Sequence, residues 1–422
     1  MTSSDPFTPI FVPEAVQDAV SGEAWLRAML DVEAALAAAE AAEGVIPAEA
    51  AGAIAAAAPD LDGIGVAARG AGNPVVPLVR ALRESTGDAA RWVHFGATSQ
   101  DVLDSAAMLV AGRALGPVLA ELDAVVGDCA RLARAHRGTL MAGRTLLQQA
   151  LPVTFGLKAA GWLAGVAGAR ARLRELRGAL PAQLGGAAGT LAALGDRGPA
   201  VAQRFAAELE LVAPALPWHG DRRPVAELGA ALAIAAGAVE KVALDVVLLA
   251  QTEVGEAAEA SGDGRGGSSA MPQKRNPVGA VRARASARSA RAAAGVLLEA
   301  MAGEHERAAG AWHSEWRALS EALAGAGGAA WALHEGLSGL TVDPERMRAN
   351  LDLTGGALLA EHVALLTGER DAVERALRAG RPLADVLRDD LGLGEEEIAQ
   401  ALDPARYLGA ADAFIDRALE LA

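Results

Sequence analysis

Between Val225 and Ala260 the chain offers its clearest long helix. Its few polar positions, Glu227, Glu240, Lys241, Asp245 and Glu253, are scattered, and apolar residues surround most of the axis. A helix that is apolar nearly all round must be buried among others. Further helical runs are predicted from Asp104 to about Arg137, from Leu146 to Leu180, from Val278 to about Gly303, and after Arg307 to about Leu337. No strand alternation separates them. Hydrophobic residues make up 52 % of the 422 residues but aromatics only 3 %, so the core is built from Ala, Leu and Val. Ala and Leu are strong helix formers. The expectation is an all-α protein: an elongated central helical bundle over 105–341, with a smaller helical N-terminal domain over 1–104 and a small helical C-terminal domain over 342–422. The Ala-rich helix surfaces exceed what one bundle buries, which predicts helices packing between copies of the chain.

The formal net charge is −15. No basic domain offsets it, which argues against nucleic acid as a partner. The same charge means that an anionic ligand needs a locally positive pocket. The single cysteine, Cys129, excludes an internal disulfide framework and fits a reducing compartment. Met1 to Pro13 lacks the basic start and apolar centre of a secretory signal. The longest uncharged stretch, Gly178 to Gly195, is interrupted by Pro181, Gln183 and several glycines and is no membrane span. These readings predict a cytoplasmic protein with no membrane partner.

Three polar loops stand out against the helical background. Trp92 to Asp101, WVHFGATSQD, precedes a helix. Ser99 and Asp101 suit helix capping, while Thr98, Ser99 and Gln100 suit donation to a carboxylate at a helix N-terminus. Gly143-Arg144-Thr145 opens a second junction, read as loop to helix with Pro152 early in the helix. The third loop, Ser261 to Pro277, is rich in glycine, carries Ser268 and Ser269, and ends in Lys274, Arg275, Asn276 and Pro277. Gly262 to Gly267 fits G-x-G-x-x-G, but a helical stretch precedes it and Met271-Pro272 follows, so the strand-turn-helix context of a dinucleotide site is missing.

The histidines are scattered, with no H-E-x-x-H and no Cys/His cluster, so neither metal nor cofactor is expected. No G-x-S-x-G elbow marks a hydrolase serine. What remains is acid–base chemistry by a hydroxyl, with a glycine-rich loop and a cation to stabilise its alkoxide. Proton transfer beside a carboxylate fits, because the enediolate-like carbanion needs cations and amides aimed at it. Lys274, Asn276, Arg144, Thr145 and Arg307 are the candidates for that task.

The run GSSAMPQKRNP, Gly267 to Pro277, resembles the G-S-S-x-M-P-x-K-x-N-P signature of the fumarase/aspartase superfamily over all eleven positions. FGATSQD and GRTLLQQALPVTFGLK resemble its other shared segments. The resemblance implies a homotetramer in which three separated regions, from three subunits, meet at each active site. It implies that Ser268 moves the proton with Lys274 beside it. It also implies that Thr98, Ser99, Arg144, Thr145, Gln148, Ser269, Met271, Asn276 and Arg307 bind a small polycarboxylate. His313, in AWHSEW, is either a further pocket residue or a packed helix-surface histidine.

Segments Gly72–Leu82, Trp92–Asp104, Gln183–Gly195, Glu304–Trp316 and Glu345–Gly356 are similar to the bacterial 3-carboxy-cis,cis-muconate cycloisomerases. That branch implies a cofactor-independent lactonisation in the protocatechuate branch of the β-ketoadipate pathway. The alternative on the same scaffold is a lyase releasing an amine or nitrite from a substituted succinate. An alternative of another class is a non-catalytic, crystallin-like homologue, against which the intact Ser268, Lys274 and Asn276 speak. Adenylosuccinate and argininosuccinate lyases carry a histidine directly after Gly-Arg-Thr, where this chain has Leu146. That weakens those two readings and leaves the second proton-transfer group unassigned.

Overall fold

The computed structural model describes residues 5–260, 266–267, 271 and 273–422. Ser268 and Ser269 lie outside the described residues. The chain is mainly helical, as its composition predicts. Five long helices, Ser99–Ala135, Phe155–Arg177, Arg223–Leu249, Val278–Glu299 and Ala311–Ser338, correspond to the predicted runs, but the run expected over Val225 to Ala260 is helical only to Leu249, and Ala257–Ala258 pairs with Thr341–Val342 as a short strand. Shorter helices precede and follow them. Ser99–Ala135 is long and apolar enough to cross a membrane by composition, but most of its apolar stretch is buried inside the protein, as in a core helix.

Local chemistry sets several of the ends. Ser21 Oγ accepts the Ala24 N–H at 3.1 Å and starts Gly22–Ala42, and Gly44, at φ +68°, follows that helix in the left-handed region. Asp343 Oδ1 accepts the Arg346 N–H at 2.9 Å and opens Pro344–Asp352, with the proline at a first-turn position where its missing N–H costs nothing.

The described chain divides into two units. The first comprises Met1–Glu121, Ala169–Gly237 and Ala283–Trp331. One of its hydrophobic clusters joins Met29, Val32 and Leu36 to Leu78, Leu82, Val102 and Leu103, and is completed by Leu184, Val201, Phe205 and Trp312 from much later in the chain. Small residues let its helices approach closely. A Cβ on Gly325 would stand 2.8 Å from the backbone nitrogen of Ala290, so only glycine fits that crossing.

The second unit comprises Leu122–Gly168, Ala238–Arg282 and Ala332–Ala422. Its C-terminal helices have their own small core of Val363, Val373, Leu383, Leu387, Ile398 and Ala401. Here the sequence reading needs a correction. Residues following Gly143 do not enter a helix. Leu140–Thr145 and Gln148–Thr154 form an antiparallel hairpin, and the helix begins only at Phe155. Thr145 pairs with Gln148, so the connection is the two residues Leu146 and Leu147, at φ +53° and +65°. Positive φ at both positions is the pattern of a tight hairpin turn that favours Asn-Gly, and two leucines give no sign of it. Pro152 is tolerated because a two-stranded hairpin has only edge strands.

Candidate active site

In the first unit, the predicted residues Thr98, Ser99 and Arg307 gather around a buried polar network. Thr98 precedes the Ser99–Ala135 helix, and Asp101 Oδ2 reaches back to the Thr98 N–H at 2.9 Å, closing the first turn. The same carboxylate accepts the Gly185 N–H at 2.8 Å, the Gly186 N–H at 2.9 Å and His219 Nε2 at 2.7 Å. Asp101 therefore fastens the FGATSQD turn to the QLGGAAG turn. Since an ionised carboxylate only accepts, Nε2 carries the His219 hydrogen. The Thr98 and Ser99 hydroxyls are half-buried at a helix N-terminus, where backbone donors and the helix dipole favour an anion.

Gln100 departs from the expectation. It is fully buried and its amide is engaged within the protein: its Nε2 serves Asp104 Oδ2 and the His219 carbonyl, both at 3.1 Å, and its Oε1 accepts from Arg307 Nε at 3.0 Å. Arg307 Nη2 also donates to the Ala187 carbonyl at 3.1 Å. Behind them Arg222 bridges two carboxylates. Its Nη1 and Nη2 meet Asp104 at 2.7 and 2.9 Å, and its Nε and Nη2 meet Glu315 at 2.9 and 2.5 Å. Trp312 Nε1 adds a bond to Asp104 at 3.0 Å. Burial pushes the Glu315 carboxyl above its ordinary value, opposed by the hydrogen bond and charge of Arg222. His313 stands exposed on the same helix, its ring against Trp312 and Trp316.

In the second unit, Arg144, Thr145 and Gln148 lie together on the hairpin, with Thr145 and Gln148 exposed beside the turn. The Arg144 guanidinium is held by Glu256 through two bonds, at 2.8 and 2.6 Å. Asn350 Nδ2 donates to Glu256 at 2.7 Å, and Gln149 Nε2 donates to the Asn350 carbonyl at 2.7 Å. So Glu256 and Asn350, neither anticipated from sequence, anchor the strand that carries Thr145. Lys158 stands near them in the following helix; burial lowers its ammonium pKa, opposed by Asp245 and reinforced by Lys241 and Arg144. Met271 and Lys274 are exposed, and the Lys274 N–H donates to the Met271 carbonyl at 3.0 Å. Asn276 is half-buried, its N–H on the Gly266 carbonyl at 2.9 Å.

The first unit thus presents the Thr98 and Ser99 hydroxyls at a helix N-terminus and the Arg307 guanidinium, and the second presents the Thr145 hydroxyl, the Gln148 amide and the Lys274 ammonium. Among the described residues no three His, Cys, Asp or Glu side chains are grouped to hold a metal ion. Sequence reasoning missed Asp101 as a hub, and with it His219, Arg222 and Glu315. Their signal was weak: Asp101 and Glu315 are charged residues in otherwise apolar helices, His219 and Arg222 lie in the irregular segment before Arg223–Leu249, and the partners of each lie far along the chain.

Comparison with known proteins agrees with the signature. A family model described as Lyase matches residues 3–291. The chain is 46 % identical over 436 residues to 3-carboxy-cis,cis-muconate cycloisomerase of Bradyrhizobium diazoefficiens, covering 98 % of this chain and 97 % of the relative. It is 46 % identical over 443 residues to nitrosuccinate lyase of Streptomyces davaonensis, covering 98 % and 94 %. The solved 3-carboxy-cis,cis-muconate lactonizing enzyme from Pseudomonas putida matches with a TM-score of 0.91 and 40 % identity, covering 99 % of this chain and 98 % of that one. With the signature loop, the helical architecture and these full-length likenesses in agreement, the chain belongs to the fumarase/aspartase superfamily of lyases.

Proposed function

We propose that this protein is a cofactor-independent cycloisomerase that closes 3-carboxy-cis,cis-muconate to 4-carboxymuconolactone. The observation that carries the reading is 46 % identity to a cycloisomerase over nearly the full length of both chains. Leu146 at the hairpin tip supports it, since the lyases that use a histidine there are disfavoured.

One substrate carboxylate oxygen attacks the alkene carbon and forms the C–O bond of the lactone. The displaced π electrons collect on the carbon beside another carboxylate as an enediolate-like carbanion. Ser268 gives that carbon a proton and regains one from water. Lys274 and Asn276 stabilise the developing charge, and Ser269 and Met271 help to bind the substrate. Thr98, Ser99, Thr145, Gln148 and Arg307 hold the carboxylates, while Arg144, neutralised by Glu256, keeps the Thr145 strand in place. A trianion becomes a dianionic lactone, so one proton is consumed per turnover.

Sites are shared between copies of the chain in a homotetramer. The exposure of Leu146 and Leu147, at 97 % and 74 %, supports a tip covered by another subunit, since large apolar side chains at a turn otherwise face water. Light scattering that found a stable, fully active monomer would overturn this.

The second reading, elimination of nitrite from nitrosuccinate, is favoured by the equally similar Streptomyces davaonensis lyase. There Ser268 takes a proton from carbon, the C–N bond breaks, and fumarate, nitrite and one proton are released. Proton stoichiometry separates the two. In weak buffer with a pH indicator, lactonisation raises pH as the diene absorbance falls, and elimination lowers pH as fumarate absorbance appears. Loss of either signal in Ser268→Ala assigns the serine. Turnover of neither substrate would sink both readings.

A further inference from the structure

We infer that Gln100 is a positioning residue that sets the guanidinium of Arg307 for a substrate carboxylate. The inference deepens the proposed function and rests on Arg307 binding substrate.

Arg307 lies in the irregular segment between the Val278–Glu299 and Ala311–Ser338 helices, where no helical backbone fixes its side chain. Its Nε is held by Gln100 Oε1 at 3.0 Å and its Nη2 by the Ala187 carbonyl at 3.1 Å, while Nη1 donates to no described residue. A planar guanidinium held at two nitrogens keeps a defined direction for the third. Gln100 in turn cannot rotate. Its amide nitrogen meets two acceptors, Asp104 Oδ2 and the His219 carbonyl, and its oxygen meets a group that only donates. Flipping the amide would set oxygen against two oxygens and NH₂ against a guanidinium.

Asp104 is itself immobilised by Arg222 and Trp312. The lattice therefore runs unbroken from Glu315 through Arg222, Asp104 and Gln100 to Arg307. Among common side chains only glutamine supplies this pattern at this length. Glutamate would place a second carboxylate against Asp104, and methionine would remove all three bonds.

The test is a double-mutant cycle read as separate KM and kcat values on whichever substrate the enzyme turns over. Gln100→Met should raise KM about tenfold with kcat changed less than about threefold, the scale of one hydrogen bond to a charged group. In the Arg307→Ala background the same change should add almost nothing. A KM rise of equal size in both backgrounds, or none in the wild-type background, would overturn the inference while leaving Arg307 as a substrate ligand. An unchanged KM in Arg307→Ala itself would overturn both the ligand role and the inference.

Should Gln100→Met fail to fold, Gln100→Glu decides. Its carboxyl faces Asp104, Arg307, Arg222 and the His219 carbonyl. Protonated, it can still donate to Asp104; ionised, it repels it. At about pH 8 the KM ratio to wild type should therefore stand well above one, and in the Arg307→Ala background the same change should alter KM little. A ratio near one in the wild-type background, or an equal ratio in both backgrounds, overturns the inference.

Discussion

Arg144 and Glu256 face each other through two parallel hydrogen bonds, Nη1 to Oε2 at 2.8 Å and Nη2 to Oε1 at 2.6 Å. The Glu256 side chain is wholly buried, whereas Arg144 keeps 23 % of its surface exposed. The pair ties the first hairpin strand to the segment leading toward the signature loop. A guanidinium engaged in this way fixes the position of the hairpin strand that carries it.

The asymmetry of burial predicts unequal substitutions. Arg144→Met leaves the buried Glu256 with Asn350 as its remaining side-chain donor, and should cost on the order of 3 kcal/mol. Glu256→Gln leaves a partly solvated guanidinium and should cost less. Urea denaturation of both variants checks the order. Equal or reversed losses would show that the pair does not fasten the hairpin.

Glu40 and His94 predict an alkaline weakness. Burial, and secondarily the charge of Glu33, pushes the Glu40 carboxyl up to about 8 from an ordinary 4.5. Between those values the folded chain holds a proton that the unfolded chain has released. Stability therefore falls as pH rises through that window, by up to about 1.4 kcal/mol per pH unit. His94 acts in the same direction. Burial alone would lower its pKa, but the charge and hydrogen bond of Glu33, 2.6 Å from Nδ1, raise it. Its contribution is full below the ordinary histidine value and is lost as pH rises through the folded one. Glu40→Leu should gain stability at about pH 8 and flatten the curve. Urea midpoints at mildly acidic and mildly alkaline pH, for wild type and variant, give the slope; an unchanged slope refutes the assignment.

The hairpin tip predicts a separation of stability from activity. Leucine in the left-handed region costs roughly 1–2 kcal/mol, and Leu146 and Leu147 both occupy it. Replacing the pair with Asn-Gly should stabilise the hairpin by about 1 kcal/mol or more. If another subunit covers the tip, the same variant should weaken assembly and activity, as thermal melting and sedimentation would register. Stabilisation with assembly and activity intact would remove the tip from any interface.

The sequence by itself determined the helical class and the superfamily. Alanine and leucine at helical spacing read as long helices because periodicity is local, and Gly267 to Pro277 carries an ordered signature that composition alone does not produce. It also placed Thr98 and Ser99 at a helix start, since capping chemistry lies within one turn.

Tertiary structure decided what depended on partners far along the chain. The hairpin is not legible in the sequence because its turn carries Leu146-Leu147, without glycine or asparagine to announce positive φ. Gln100 reads as a ligand donor from its place in the loop, whereas the fold buries it against Asp104, the His219 carbonyl and Arg307. Nothing local in the sequence pairs Arg144 with Glu256, which lies more than a hundred residues further along the chain. A local pattern says which residues are apolar and where a helix begins. Which buried charge meets which donor is set only when distant segments pack, because a polar group taken from water must find its partner wherever the fold brings one.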